Sequence, residues 1–153
     1  MSRPFLVLLL LATFAVVSGC GGGGSATAQE VERSVGSTRD RVDFSLARIT
    51  QAQSKDELLE RMQEAAAAIG AAADDLDRDG APAEYEGAVA ELVDSLRQLA
   101  VDLDATAEQI GEAGFGDLLT GAQGLSFESW DRVNLALARL NRKGIEVAPL
   151  SRH

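Results

Sequence analysis

Residues 85–110 read YEGAVAELVDSLRQLAVDLDATAEQI, and the spacing of apolar positions in that stretch decides the fold. Tyr85, Val89, Leu92, Leu96, Leu99, Leu103, Thr106 and Ile110 alternate steps of four and three. On an α-helix that alternation places them all on one seam, the pattern of left-handed, near-antiparallel helix packing. Pro82 stands where a first helical residue is favoured, since its missing N–H would have no intrahelical partner there. Gly111 and Gly114 mark the stop. At 1.5 Å per residue, a helix from Pro82 to Glu112 is about 45 Å long.

Working outward, the same rhythm recurs on both sides. Ser54 and Glu57 have the spacing of a capping box, in which the hydroxyl caps the helix and the carboxylate reaches back. Leu59, Met62, Ala66, Ile69, Ala73 and Leu76 then continue in steps of three and four. The alanine-rich middle, Ala65 to Ala73 with Gly70, is expected to let a neighbouring backbone approach closely. Before it, Val31, Val35, Thr38, Val42, Leu46 and Ile49 form a thinner stripe, with Gly36 as a soft point. A fourth helix is predicted from about Ser126 to Gly144, with Phe127, Trp130, Val133, Leu137 and Leu140 on one side. Arg139, Arg142 and Lys143 near its end complement the helix dipole. The glycine-rich connection from Gly111 to Leu125 is long for a bundle loop and is expected to hold a short helical turn lidding one end. The segment Ile145-Glu146-Val147-Ala148-Pro149-Leu150 is expected to pack as an extended strip across the bundle. Tyr85 and Trp130 are read as core or bundle-end anchors rather than ligand-stacking residues. Asn134 is read as a satisfied polar residue at the edge of the apolar stripe. The fold expected is all-α, a small antiparallel up-down bundle of about four helices over residues 30–145, followed by a tail, 146–153.

Composition agrees. The chain has 153 residues with 5% aromatics, and alanine and leucine are abundant. Formal net charge is -10, unevenly placed: residues 54–117 hold 17 acidic and 4 basic residues, while residues 118–153 hold 3 and 5. A phosphate backbone would be repelled, so nucleic acid is excluded as a partner. The acidic segment reads either as a solvated face that keeps the domain soluble, or as a docking face for a basic partner or loosely held cations.

The amino-terminal 29 residues have a different character. Arg3 precedes an apolar run from Phe5 to Val17, interrupted only by Thr13. A spanning helix needs about 20 apolar residues, so this shorter run reads as a secretory signal peptide, 1–19. Val17-Ser18-Gly19-Cys20 resembles the lipobox of bacterial lipoproteins, an apolar residue and two small ones before a cysteine. The resemblance implies cleavage before Cys20, a thioether-linked diacylglyceryl group on its sulfur, and an acyl chain (palmitate) on the new amino terminus. Several chains together hold a protein firmly at a membrane, where one is marginal. The same three residues would also serve ordinary secretion, leaving a bare thiol. Residues 20–29 follow as a lipidated cysteine and a glycine-rich tether expected to be flexible.

A second resemblance lies in the central hairpin. Ala71-Ala72-Ala73-Asp74-Asp75-Leu76, a proline-bearing turn, then Ala90-Glu91-Leu92-Val93-Asp94-Ser95-Leu96-Arg97 resemble a hairpin of uncharacterised secreted helical proteins of actinobacteria. The likeness covers roughly Leu58 to Ile110, and the group brings no activity with it.

Chemistry-bearing motifs are few. Asp75-Leu76-Asp77-Arg78-Asp79-Gly80, followed five residues later by Glu86, resembles the EF-hand calcium loop. The resemblance implies carboxylate ligands from Asp75, Asp77 and Asp79, a turn at Gly80, a backbone carbonyl from Ala81 and a bidentate Glu86. Pro82 departs from that pattern, and no second loop follows. The alternative is an acidic turn in an acid-rich chain, and no metal ligand is assigned. Cys20 is the only cysteine and His153 the only histidine. Zinc sites, Cys-His or Ser-His nucleophiles and Glu-x-x-His di-iron sites therefore lack their residues. No cofactor and no catalysis are expected beyond the covalent lipid. The reading is a membrane-anchored lipoprotein at the outer face of the plasma membrane, acting as a binding or structural module. Its expected partners are the membrane and a basic envelope protein or cell-wall component, and the alternative is a calcium-binding lipoprotein.

Overall fold

The structure, a computed structural model, describes residues 27–112 and 128–151. The segments read as leader and tether as far as residue 26 (Cys20 among them), residues 113–127 of the long connection (Ser126 and Phe127 among them) and the last two residues lie outside the described residues.

Four helices account for most of the described chain: α1 (Ala28–Ile49), α2 (Lys55–Asp79), α3 (Ala83–Glu112) and α4 (Glu128–Arg142). Successive helices pack on one another, α1 on α2, α2 on α3 and α3 on α4. Side-chain pairs give the direction. Arg48 meets Glu64 and Arg41 meets Asp75, so α1 and α2 run antiparallel. Arg97 meets Asp74 and Asp77 across α2 and α3, and Arg139 meets Glu91 across α3 and α4. The all-α, up-down arrangement expected from the periodicity is the one observed. No helix among the described residues is long and apolar enough to cross a membrane.

Each helix begins and ends for local reasons. α1 starts earlier than its apolar stripe suggested, because Thr27, in the segment read as tether, forms a capping box with Glu30. The Glu30 carboxylate accepts from the Thr27 N–H at 2.6 Å, and the Glu30 N–H donates to the Thr27 hydroxyl at 3.3 Å. At α2 the Ser54 hydroxyl caps the Glu57 N–H as expected, but the Glu57 carboxylate reaches back to the N–H of Gln53 at 2.7 Å. α2 stops at Gly80, whose φ of 68° and ψ of 178° suit glycine and strain other residues. Pro82 O accepts from the N–H groups of Tyr85 and Glu86, which opens α3.

The seam of α3 is buried as read, with one shift. Ala107, not Thr106, continues it. The Thr106 hydroxyl turns back to donate to the Asp102 carbonyl at 2.6 Å. Val35, Val42, Ile69, Leu99 and Leu140 lie in the centre at 0% exposure. Ala65, Ala66, Ala72 and Ala73 form the small-residue face of α2. Gly70 is a correction: a β-carbon there would meet nothing within 4 Å, so no neighbouring backbone comes close at that position. Tyr85 is buried and Trp130 is partly buried against the core, consistent with anchoring roles.

Beyond α4 the chain turns at Gly144, φ 90°, and continues as an extended strip that buries Ile145, Val147 and Leu150. The strip lies between α1 and α4, the first and last helices, and exchanges hydrogen bonds with both.

Candidate functional site

The groove between α1 and α4 is where the described residues concentrate specific polar recognition. On α1, Glu32, Arg39 and Asp43 stand seven and four residues apart and therefore share one edge of the helix. On α4, Asn134 and Asn141 stand seven apart beside Val133, Leu137 and Leu140 and share an edge in the same way. These edges face the strip from opposite sides, and the interactions fall mainly on its backbone.

Asn141 treats Val147 as a strand neighbour would. Its Nδ2 donates to the Val147 carbonyl at 2.6 Å, and its Oδ1 accepts from the Val147 N–H at 3.1 Å. Asn134 Oδ1 accepts from the Leu150 N–H at 2.8 Å. From α1, Glu32 accepts from the Glu146 N–H at 3.2 Å and Asp43 from the Ser151 N–H at 2.7 Å. Arg39 donates twice to the Pro149 carbonyl, from Nη2 at 2.7 Å and from Nε at 3.1 Å. Its guanidinium lies 2.9 Å from Asp40 and 3.6 Å from Asp43, with only 17% of the side chain exposed. Hydrogen bonds to ionised groups are the stronger kind, and these are partly shielded from water.

Register follows from geometry. The five residue steps from Glu146 to Ser151 advance about 16 Å in an extended chain. The eleven steps from Glu32 to Asp43 advance about 16 Å in a helix. The strip therefore runs parallel to α1 and antiparallel to α4 with its polar partners in step. Side chains alternate from Ile145 to Ala148, with Ile145 and Val147 buried and Glu146 and Ala148 exposed, and the alternation breaks at exposed Pro149 and buried Leu150. Pro149 lies where its carbonyl is used and its missing N–H is not needed.

The acidic positions singled out by the sequence are placed elsewhere and apart. Asp75, Asp77 and Asp79 are not in a loop but in the last turns of α2. Asp75 accepts from Arg41 and Arg78, Asp77 from Arg97, and Asp79 from the Ser34 hydroxyl at 2.5 Å. Two of them thus face α1 and the third faces α3. Glu86 lies in the first turn of α3, and no three carboxylate, histidine or cysteine groups among the described residues converge on one point. Arg41, then Arg78, holds the Asp75 carboxyl below its usual range, while Asp74 and then Asp77 raise Arg97. Rather than a loop, the acidic stretch forms a helix end whose carboxylates engage Arg41, Arg78, Arg97 and the Ser34 hydroxyl, and an α-helix sends alternate residues in divergent directions.

A second concavity, about 500 Å³, lies between the start of α3 and the end of α4. Ala83 and Gly87 leave the space, Arg139 pairs with Glu91, and Lys143 donates to the Glu84 carbonyl at 2.7 Å. Its charged groups serve the helix–helix contact.

Sequence reasoning anticipated the strip and the satisfied role of Asn134, but not Arg39, Asp43, Glu32 or Asn141. The seven-residue spacing of the two asparagines beside an apolar stripe was the available signal. Fold and groove together define a four-helix bundle with an extended strip of its own chain seated between the first and last helices. No protein-family model matches the chain, and neither a curated protein nor a solved structure is detectably similar to it.

Proposed function

We propose that this chain is a lipid-anchored binding module of a bacterial cell envelope, held at the outer face of the plasma membrane through acylated Cys20. The observation that supports this most is the distance between the lipobox cysteine and the folded body. The capping box of α1 opens at Thr27, seven residues beyond Cys20. Even fully extended, that segment reaches at most about 25 Å. A bundle tied so closely would remain beside the headgroups, with the start of α1, the α2–α3 turn and the end of α4 at its membrane-facing end. The α1–α4 groove would open sideways, along the membrane plane. In this reading the domain binds rather than catalyses, and its acidic α2–α3 half discourages adhesion to an anionic leaflet.

Detergent phase partitioning of the expressed protein tests the anchor. The full chain enters the detergent phase, and Cys20→Ala, once its leader is cleaved, stays in the aqueous phase as a secreted product. If both forms remain aqueous, there is no lipid on Cys20.

A further inference from the structure

We propose that residues 145–151 are a closing strap: the bundle becomes stable only when this strip is seated, so no earlier part of the chain folds by itself. The strip follows all four helices in the chain. In a protein exported behind a leader, the helices would then stay open until all four had crossed the membrane. That consequence rests on the reading of the chain as an exported protein. Closure itself is independent of that reading and of the lipid on Cys20, and the test reads closure alone.

Without the strip the bundle has an open side. α1 packs on α2, α2 on α3 and α3 on α4, but no comparable packing joins α1 to α4 among the described residues. The strip fills that side. Ile145, Val147 and Leu150 are buried in the same core cluster as Val35 and Val42 of α1 and Leu137 and Leu140 of α4. Three buried aliphatic side chains are comparable in weight with the whole net stability of a small domain. The strip is also a polar link between the two helices, held by Glu32, Arg39 and Asp43 from α1 and by Asn134 and Asn141 from α4.

At its start the strip is fixed to α4. The Gly144 N–H donates to the Asn141 carbonyl at 3.0 Å and the Ile145 N–H to the Leu140 carbonyl at 3.1 Å. With Gly144 at φ 90°, this is a helix cap that satisfies the last carbonyls of α4 and aims the chain back across the bundle. Distance along the chain then sets the order of events. Short turns join α1 to α2 and α2 to α3, whereas Glu146 meets Glu32 across 114 positions and Ser151 meets Asp43 across 108. Closing so long a loop costs more chain entropy than pairing neighbouring helices, so local pairing comes before closure.

Hydrogen exchange on the folded full chain tests this. The amides of Val147 and Leu150, bonded to Asn141 and Asn134, should be protected to within tenfold of the Leu99 amide, because the strip leaves only when the whole bundle opens. Protection more than tenfold below that of Leu99 would mean that the helices stay packed without the strip, and overturns the proposal. A full chain carrying both Val147→Asp and Leu150→Asp should show no cooperative transition in urea. Ala148→Ser, at an exposed position of the strip, should unfold as the wild type does. A cooperative transition in the double variant, at whatever midpoint, would show that the helices close by themselves, and overturns the proposal independently.

Discussion

The side-chain amide of Asn141 satisfies both backbone groups of Val147, donating to its carbonyl at 2.6 Å and accepting from its N–H at 3.1 Å. One helical residue thereby does for the strip what a neighbouring strand would do in a sheet. Val147 itself is buried, so water has little access to those groups once the asparagine is removed.

Asn141→Ala is therefore expected to destabilise the chain by about 1–3 kcal/mol, the range for leaving buried polar groups without partners. Urea unfolding measures it. Asn141→Ser, with a shorter side chain, should recover little. A loss under a few tenths of a kcal/mol would mean that water replaces both bonds at no cost.

Gly70 and Gly80 make opposite predictions for one chemical change. Gly70 lies inside α2 with open space where a β-carbon would go, so Gly70→Ala should stabilise by about 0.5–1 kcal/mol through helix propensity and chain entropy. Gly80 has φ 68° and ψ 178°, a region nearly confined to glycine. Gly80→Ala should cost roughly 1–3 kcal/mol despite equally open surroundings. Thermal unfolding of both variants, side by side, checks the contrast in sign.

Leu99 sits at 0% exposure in the middle of the seam. Leu99→Ala removes buried methyl groups and leaves a cavity between α3 and its neighbours, at a cost of about 2–5 kcal/mol. Against the total of roughly 5–15 kcal/mol usual for a domain, that should lower the urea midpoint by a large fraction. Leu99→Met, near in volume, should cost less than about 1.5 kcal/mol.

The Glu57 carboxyl is held below the ordinary glutamate value of 4.5, first by the Gln53 N–H and then by Arg61. Its folded value is lower than its unfolded one, so between the two the unfolded chain binds more protons and stability rises with pH. The stabilisation is complete above the ordinary value and is lost as pH falls through the depressed one. The stability gap between wild type and Glu57→Gln should be widest at neutral pH and close below about pH 4.5. Urea midpoints for both proteins from pH 7 to pH 3 give the test, and a gap that stays constant to pH 3 would contradict it.

Calcium should not distinguish the folded chain from its Asp77→Ala variant. Ligating Asp75, Asp77 and Asp79 together would require unwinding the last turns of α2 and releasing Arg41, Arg78 and Arg97. Calorimetric titration at millimolar calcium is expected to give no saturable heat with either protein. Saturable heat that disappears in Asp77→Ala would show that the helix end does unwind.

Much of the fold was legible because it depends on local spacing. The α3 seam, the α1 stripe and the Ser54 cap each follow from residues within a turn or two of one another. Elsewhere spacing alone does not decide. Asp75 to Asp79 match a loop motif residue for residue, yet α2 continues through them because Leu76 still has a core to enter and arginines on two neighbours receive the acids. Gly70 suggested a close contact that is not made there. The candidate groove was half visible: the strip's apolar pattern is written in 145–150, but its polar partners begin more than a hundred residues earlier in the chain.

By itself, the sequence determined that this protein is helical, where its helices run and which faces they bury. Helix formation and amphipathic periodicity are properties of neighbouring residues, so they need no knowledge of the whole. Only the tertiary structure decided that α1 and α4 would come to flank an extended strip, and that Arg39 would reach Pro149 across the groove between them. Contacts at such separations depend on how the helices are arranged in space, and three helices' worth of packing must be complete before the two edges of that groove exist.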